Sequence, residues 1–314
     1  RQGLDVPHFN VVTDSISINA LWWRAACTGW FVPNCDSAEV LLRAGVEKER
    51  VHVRGFPTPA FIAESPGLVP PDLADSETGR TAAGSFPRIL YIINSGTRGA
   101  AETARLLLAE HGWEITCAVG RDESLRRELQ QFADLRTVRR DPGRTAADEP
   151  SRTAPAHILG WTDQIPRLLL THHVVVSKAG GATTQEAIAA RCPMIVNQIV
   201  PGQEEGNYEL LRRHGVGALA TTPDAVIAAC RRAFAARGAV WREWRTALGS
   251  LSRPDAARDI AGHVLAQIEP RAKVASKVAD DVPPSSGIWP TGRAVVAGSV
   301  TNGHSAARRS AATP

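Results

Sequence analysis

Three consecutive valines, Val174-Val175-Val176, run directly into Ser177-Lys178-Ala179-Gly180-Gly181-Ala182-Thr183-Thr184-Gln185-Glu186. A β-branched apolar run of this kind reads as a buried strand, and Ala187-Ile188-Ala189-Ala190 beyond it is good helix-forming sequence. Strand, paired glycine and helix start in direct succession make a βα corner. At such a corner the free backbone N–H groups and the helix dipole can meet a phosphate. The stretch is therefore first a candidate nucleotide-diphosphate site.

The chain around it has the same alternating grammar. Strand patterns fall at 89–93, 113–119, 157–161, 174–176 and 192–196. Helical patterns fall at 100–110, 123–132, 165–170, 206–214, 223–237, 240–248 and 254–268. Strands alternating with helices predict an α/β fold with a doubly wound parallel sheet, whose ligand lies beyond the carboxyl ends of its strands. A shorter stretch of strand–helix–strand material precedes it, with strands at 9–14, 30–34 and 51–57 and a helix at 36–45. That is too little for a complete lobe, and it reads as the closing part of one at 1–62. Residues 63–87, rich in Pro, Gly, Ser and Asp, read as a linker, 88–268 as a complete lobe, and 269–314 as a disordered basic tail. The segment 137–155 reads as a surface insertion.

Composition matters mainly for what it excludes. The only methionine is Met194, so Arg1 is not an initiator, and the chain is expected to be a fragment or a processed product. The net charge of +4 is a property of the tail. Residues 270–314 carry six Lys/Arg and two Asp/Glu, and removing them from the totals of 36 and 32 leaves 30 of each sign. A neutral body does not point to a nucleic-acid partner. Five scattered cysteines without a C-x-x-C argue against a zinc site or a disulfide framework and for a reducing compartment. No apolar run approaches the ~20 residues of a membrane span, so a cytoplasmic protein with at most peripheral membrane contact is expected.

There is no P-loop, no G-x-G-x-x-G, no H-E-x-x-H and no G-x-S-x-G. What remains is a set of strand-end loops. Gly180 and Gly181 allow close approach of an anion, Thr183 and Thr184 offer hydroxyls, and Lys178 a positive charge. A tight turn accounts equally well for the paired glycine. Thr183-x-x-Glu186 fits a capping box, against which stands a carboxylate accepting from ribose hydroxyls. Pro201-Gly202-Gln203-Glu204-Glu205-Gly206-Asn207 is the second polar loop. Gln203, Glu204 and Asn207 there suit sugar hydroxyls, while Glu205 reads as an acid in a first helical turn. Asp14, at a strand end, is a candidate general base or a turn cap. Trp22, Trp23 and Trp30 suit either an apolar acceptor surface or the core; His172 and His173 read as structural.

The stretch from Val174 to Leu211 resembles the donor-binding region of a glycosyltransferase group. The group comprises diacylglycerol glycosyltransferases, monogalactosyldiacylglycerol synthases and, more distantly, the peptidoglycan lipid N-acetylglucosaminyltransferase. Val11-Val12-Thr13-Asp14 and Val51 to Pro57 are similar to the end of its acceptor lobe. The resemblance implies a two-lobe, Rossmann-like GT-B fold with an incomplete N-terminal lobe. It implies transfer of a hexose, with inversion, from a UDP-sugar to a lipid-type acceptor such as diacylglycerol, with no metal and no cofactor beyond the donor. By the same similarity, Gly160 and Trp161 lie by the uracil, and Ser95, Lys178, Gly180, Gly181 and Thr183 by the diphosphate. Glu186 holds the ribose, and Gln203 and Glu204 the sugar. The family's first glycine-rich loop and its histidine have no counterpart here and are expected upstream. The loop Asn94-Ser95-Gly96-Thr97 is poorer in glycine than the family's. A UDP-N-acetylglucosamine 2-epimerase-like enzyme and a non-catalytic UDP-sugar-binding module are the competing expectations.

Overall fold

The computed structural model describes residues 6–73, 85–138, 154–202 and 204–280. Most of the 137–155 insertion, much of the linker, the tail beyond 280 and Gln203 lie outside the described residues. Residues Arg1–Pro270 form one compact unit, and Arg271–Pro314 are a second.

Two parallel sheets organise the first unit. The smaller has β1 (Phe9–Val11), β2 (Gly29–Val32) and β3 (Val51–Val53), in that order. Its helices are α1 (Leu21–Arg24) and α2 (Cys35–Arg43). Helix α2 starts one residue before the expected position 36: Asn34 is the cap, and its side chain accepts from the N–H of Ser37. Gly45 ends that helix at φ +88°, where a side chain would strain the backbone.

After α3 (Ala60–Glu64) the chain builds β4 (Arg88–Ile92), α4 (Ala100–Ala109), β5 (Glu114–Ala118), α5 (Glu123–Val138) and β6 (Ala156–Leu159). It continues through α6 (Ile165–Thr171), β7 (Val174–Lys178), α7 (Gly181–Ala189), β8 (Met194–Gln198) and α8 (Glu205–Arg213). The last elements are β9 (Ala218–Leu219), α9 (Pro223–Leu251) and α10 (Ala256–Asp280). The two-residue β9 carries too little pattern to be read from sequence. The helices expected at 223–237 and 240–248 are the two arms of α9, which breaks at Ala235–Gly238.

All pairings in the larger sheet are parallel, in the order β6-β5-β4-β7-β8-β9. The valine triplet of β7 explains itself here. Val174 and Val176 face one core with Ile89, Tyr91, Leu107, Leu129 and Cys230, while Val175 faces the other with Leu169, Ile188, Met194 and Leu210. Helices cover both faces, so alternation buries every side chain, each worth ~1.5–3 kcal/mol of apolar burial.

The 63–87 segment is not featureless. Leu73 is buried against Gly238, where a Cβ would come within 2.5 Å of it, and Arg242 binds both Asp72 and the Leu73 carbonyl. His173 donates to the Pro71 carbonyl at 2.8 Å and accepts from the Arg88 N–H at 2.9 Å.

Candidate functional site

The central strands of the larger sheet are β4 and β7. From β4 the chain winds outward through β5 and β6, and from β7 outward the other way through β8 and β9. The carboxyl ends of β4 and β7 therefore flank the topological switch point, where open α/β sheets bind ligands. Asn94 after β4 donates to Ser177 Oγ at 3.0 Å, tying the two strand ends together. The Arg98 N–H donates to Gln198 Oε1 at 3.1 Å, which ties in the end of β8.

Helix α7 begins at this point, and its cap is Gly180 with no side-chain hydrogen bond. Its first N–H groups face the switch point with the positive end of the helix dipole. Gly180 has φ −66° and ψ 141°, a conformation open to any residue, and Gly181 is already helical. The turn is tight, with the Gly180 N–H donating to the Lys178 carbonyl at 2.8 Å, but its dihedral angles do not call for glycine. A Cβ would meet nothing closer than 3.7 Å at either glycine. Neither backbone strain nor protein packing requires glycine at either position.

Lys178 and Glu204 lie over the same corner. Lys178 Nζ is 2.6 Å from Glu204 Oε1, and the other carboxylate oxygen accepts from the Val200 N–H at 2.9 Å. Glu204 is 4% exposed, while the Lys178 side chain keeps 29% of its surface in contact with water. The capping-box account of Glu186 is also corrected: Thr183 lies inside α7, and Gly180 is the cap. The carboxylate of Glu186 is part-buried on α7 with no hydrogen bond or ion pair among the described residues. Burial pushes its carboxyl above the usual range.

The loop after β1 closes onto this corner. Gln185 Nε2 donates to Ser15 Oγ at 2.8 Å. Gly206 on α8 is pressed against this loop, since a Cβ there would fall 1.9 Å from the Ser15 carbonyl oxygen. Asn207 donates to the Ala179 carbonyl at 3.0 Å, while its Oδ1 is buried without a partner among the described residues.

Comparison with known proteins adds the family context. No family model matches the chain. It is 23% identical over 256 residues to a probable monogalactosyldiacylglycerol synthase 2, chloroplastic, of Oryza sativa subsp. indica, covering 81% of this chain and 52% of the relative. It is 23% identical to a processive diacylglycerol beta-glucosyltransferase of Bacillus cereus (strain 03BB102), covering 86% and 65%. The chain thus spans about half to two thirds of the length of these relatives. Among solved structures, MurG of Acinetobacter baumannii superposes with TM-score 0.54 at 14% identity, covering 83% of this chain and 68% of MurG. The fold is GT-B. A UDP-GlcNAc 2-epimerase from Neisseria meningitidis shares the architecture at TM-score 0.50, 12% identity and coverage of 77% and 61%.

Within the GT-B frame the candidate residues fall into three groups. Lys178, Gly180, Gly181, Thr183, Glu186 and Glu204 gather around the start of α7. Ser95 is exposed in the loop after β4, beside the same switch point. Gly160 and the 69% exposed Trp161 follow β6 at the far edge of the sheet, with Gly160 against Arg126 and Glu123. Gln203 lies outside the described residues.

Asp14 is neither a turn cap nor an unengaged carboxylate, for its Oδ2 accepts from the Trp22 indole at 2.9 Å. Trp22 in turn accepts through its carbonyl from Trp30 Nε1 at 2.7 Å, so two of the three tryptophans hold one another. The Glu205 carboxylate accepts from the Gly202 N–H at 2.7 Å. Sequence reading passed over Asn94, Gln185 and Ser15, whose value lies in contacts 83 and 170 residues apart. No local pattern signals such partners.

Proposed function

We propose that this chain carries the donor site of a glycosyltransferase that moves a hexose, with inversion, from a UDP-sugar to a lipid-type acceptor such as diacylglycerol. The observation that carries this reading is the glycine pair at the mouth of α7, which the chain's own backbone and packing do not need. Amide dipoles of α7 and the Lys178 ammonium stand where a diphosphate's charge would be met, and that charge grows as the glycosidic bond to UDP breaks. The carboxylate of Glu186, without a partner among the described residues, lies further along α7 and is assigned to the ribose hydroxyls. Gly160 and Trp161 are assigned to the base and Ser95 to the phosphates. Gln203 is assigned to the sugar. Asp14, held by Trp22, is the acceptor-side carboxylate. No metal takes part in this scheme. Work on a lipid acceptor goes with peripheral contact at the inner face of a membrane; no described helix is long and apolar enough to cross one.

The test is product analysis of the full 314-residue chain with labelled UDP-glucose, UDP-galactose or UDP-N-acetylglucosamine and diacylglycerol-containing vesicles. Label on the lipid supports transfer. An isomerised UDP-sugar supports the epimerase reading, and UDP binding without turnover supports a binding module.

A further inference from the structure

The Lys178–Glu204 pair carries an inference that rests on the UDP-sugar reading and deepens it. Glu204 is the cap residue of α8 yet makes no side-chain cap to its own helix. Its carboxylate instead turns back, with one oxygen on Lys178 Nζ and the other on the Val200 N–H. Its own N–H also donates to the Val200 carbonyl, at 3.1 Å. Main chain and side chain of Glu204 therefore both bind Val200. The ion pair lies directly over Gly180, where a Cβ would sit 3.7 Å from Glu204 Oε1 and 3.8 Å from Lys178 Nζ.

Each oxygen of this buried carboxylate thus has a partner inside the protein, one of them a full positive charge. Each oxygen keeps a second lone pair, but at 4% exposure Glu204 offers it little access to a sugar hydroxyl. Its effect on its surroundings is electrostatic. It fixes the ammonium above the α7 N-terminus and offsets part of the positive potential there, an effect that water at the part-exposed Lys178 screens in part.

We propose that Glu204 is a positioning residue and not a sugar ligand: it holds Lys178 over the start of α7 and, as its counter-charge, weakens the hold of the site on the diphosphate. For a transferase whose leaving group is UDP, this sets how tightly the product is retained. Binding that is equally strong for substrate and product would not favour turnover, and Glu204 moderates the part of it that comes from Lys178.

The experiment is calorimetric binding of UDP and, separately, of UDP-glucose to the full chain and to Glu204→Gln, Lys178→Met and the double variant. Glutamine keeps an oxygen for the Val200 N–H but removes the charge. The expected result is UDP binding roughly 5- to 10-fold tighter in Glu204→Gln, and UDP-glucose binding tightened by a similar factor. Lys178→Met alone leaves Glu204 uncompensated and should weaken UDP binding at least about 10-fold, with the double variant recovering most of that loss. UDP binding unchanged in Glu204→Gln while UDP-glucose binding weakens would overturn the proposal in favour of a sugar ligand. So would a double variant that binds no better than Lys178→Met. A wild-type chain that binds no UDP would remove the donor reading itself, a result distinct from either.

Discussion

Gln185 Nε2 and Ser15 Oγ meet at 2.8 Å, joining α7 of the larger sheet to the loop that follows the first strand of the smaller one, 170 residues away. Beside them Gly206 admits the backbone of Ser15–Ser17 so closely that any side chain would collide with it. The start of the candidate donor helix and the start of α8 are thereby braced against the same loop. Gly206→Ala should destabilise the chain by at least about 2 kcal/mol, because the atom it meets is backbone and cannot rotate away. Urea unfolding would measure it, and a midpoint equal to that of the wild type would show that the loop is not packed there.

The glycine pair predicts the opposite pattern. Gly181→Ala puts a methyl group on a first-turn helical residue with no contact closer than 3.7 Å. Thermal stability should rise slightly, by about 0.5–1 kcal/mol, because alanine orders the helix at lower entropic cost. UDP binding should nonetheless fall at least about 10-fold, the methyl occupying space reserved for the phosphates. If calorimetry finds the affinity intact, the space above α7 has another use.

Glu186→Gln separates stability from binding in the same way. Burial raises the Glu186 carboxyl above its usual range. A folded-state value above the unfolded one means that the contribution to stability is whole below the unfolded value and declines as pH rises through the folded one. At neutral pH the amide should therefore be the more stable side chain, by about 2 °C in melting temperature. The difference should vanish below about pH 4, where the carboxyl is protonated in both states. UDP binding should weaken, the ribose hydroxyls losing a charged acceptor.

His172 and His173 predict acid lability. His172 donates from Nδ1 to the Leu168 carbonyl at 2.8 Å, its Nε2 lying 2.9 Å from Thr116 Oγ1. His173 accepts and donates as described above, so both rings are used in neutral form. Burial pushes each down to about 4 from 6.5. A depressed value leaves their contribution whole above pH 6.5 and removes it as pH falls towards 4, the unfolded chain taking the proton first. Denaturant midpoints at pH 7, 5.5 and 4.5 should fall in that order, by roughly 3 kcal/mol per ring at most. A flat series would contradict neutral burial of the pair.

UDP binding should survive chelation. In the proposed scheme the diphosphate charge is met by Lys178 and the amide dipoles of α7. EDTA should leave the dissociation constant within about two-fold of its value in magnesium. A ten-fold loss would assign that charge to a cation.

Much of the fold was legible because strands and helices of a doubly wound sheet are local, periodic objects. Val174-Val175-Val176 announced a strand buried on both faces, and each major helix of the larger sheet had its own apolar stripe. Short features escaped for want of length, among them α1, α3 and the pair Ala218–Leu219, whereas the Ala235–Gly238 break falls at the end of the first of two helices that were expected to be separate. The linker looked structureless because the partners of Pro71, Asp72 and Leu73, namely His173, Arg242 and Gly238, lie far along the chain.

Residue identity fixed which groups this chain brings to the corner: a strand, two glycines and a helix start, with a lysine and acids nearby, make a candidate anion corner in a GT-B fold. Tertiary structure alone decided what each residue does there. Periodicity could not tell that Glu204 would spend its carboxylate on Lys178 and the Val200 N–H, or that Glu186 would be left without a partner. Both are acids at or near a helix start, and local sequence treats them alike. The difference arises from which strand end each one meets when the sheet closes, and that is fixed by contacts dozens of residues apart.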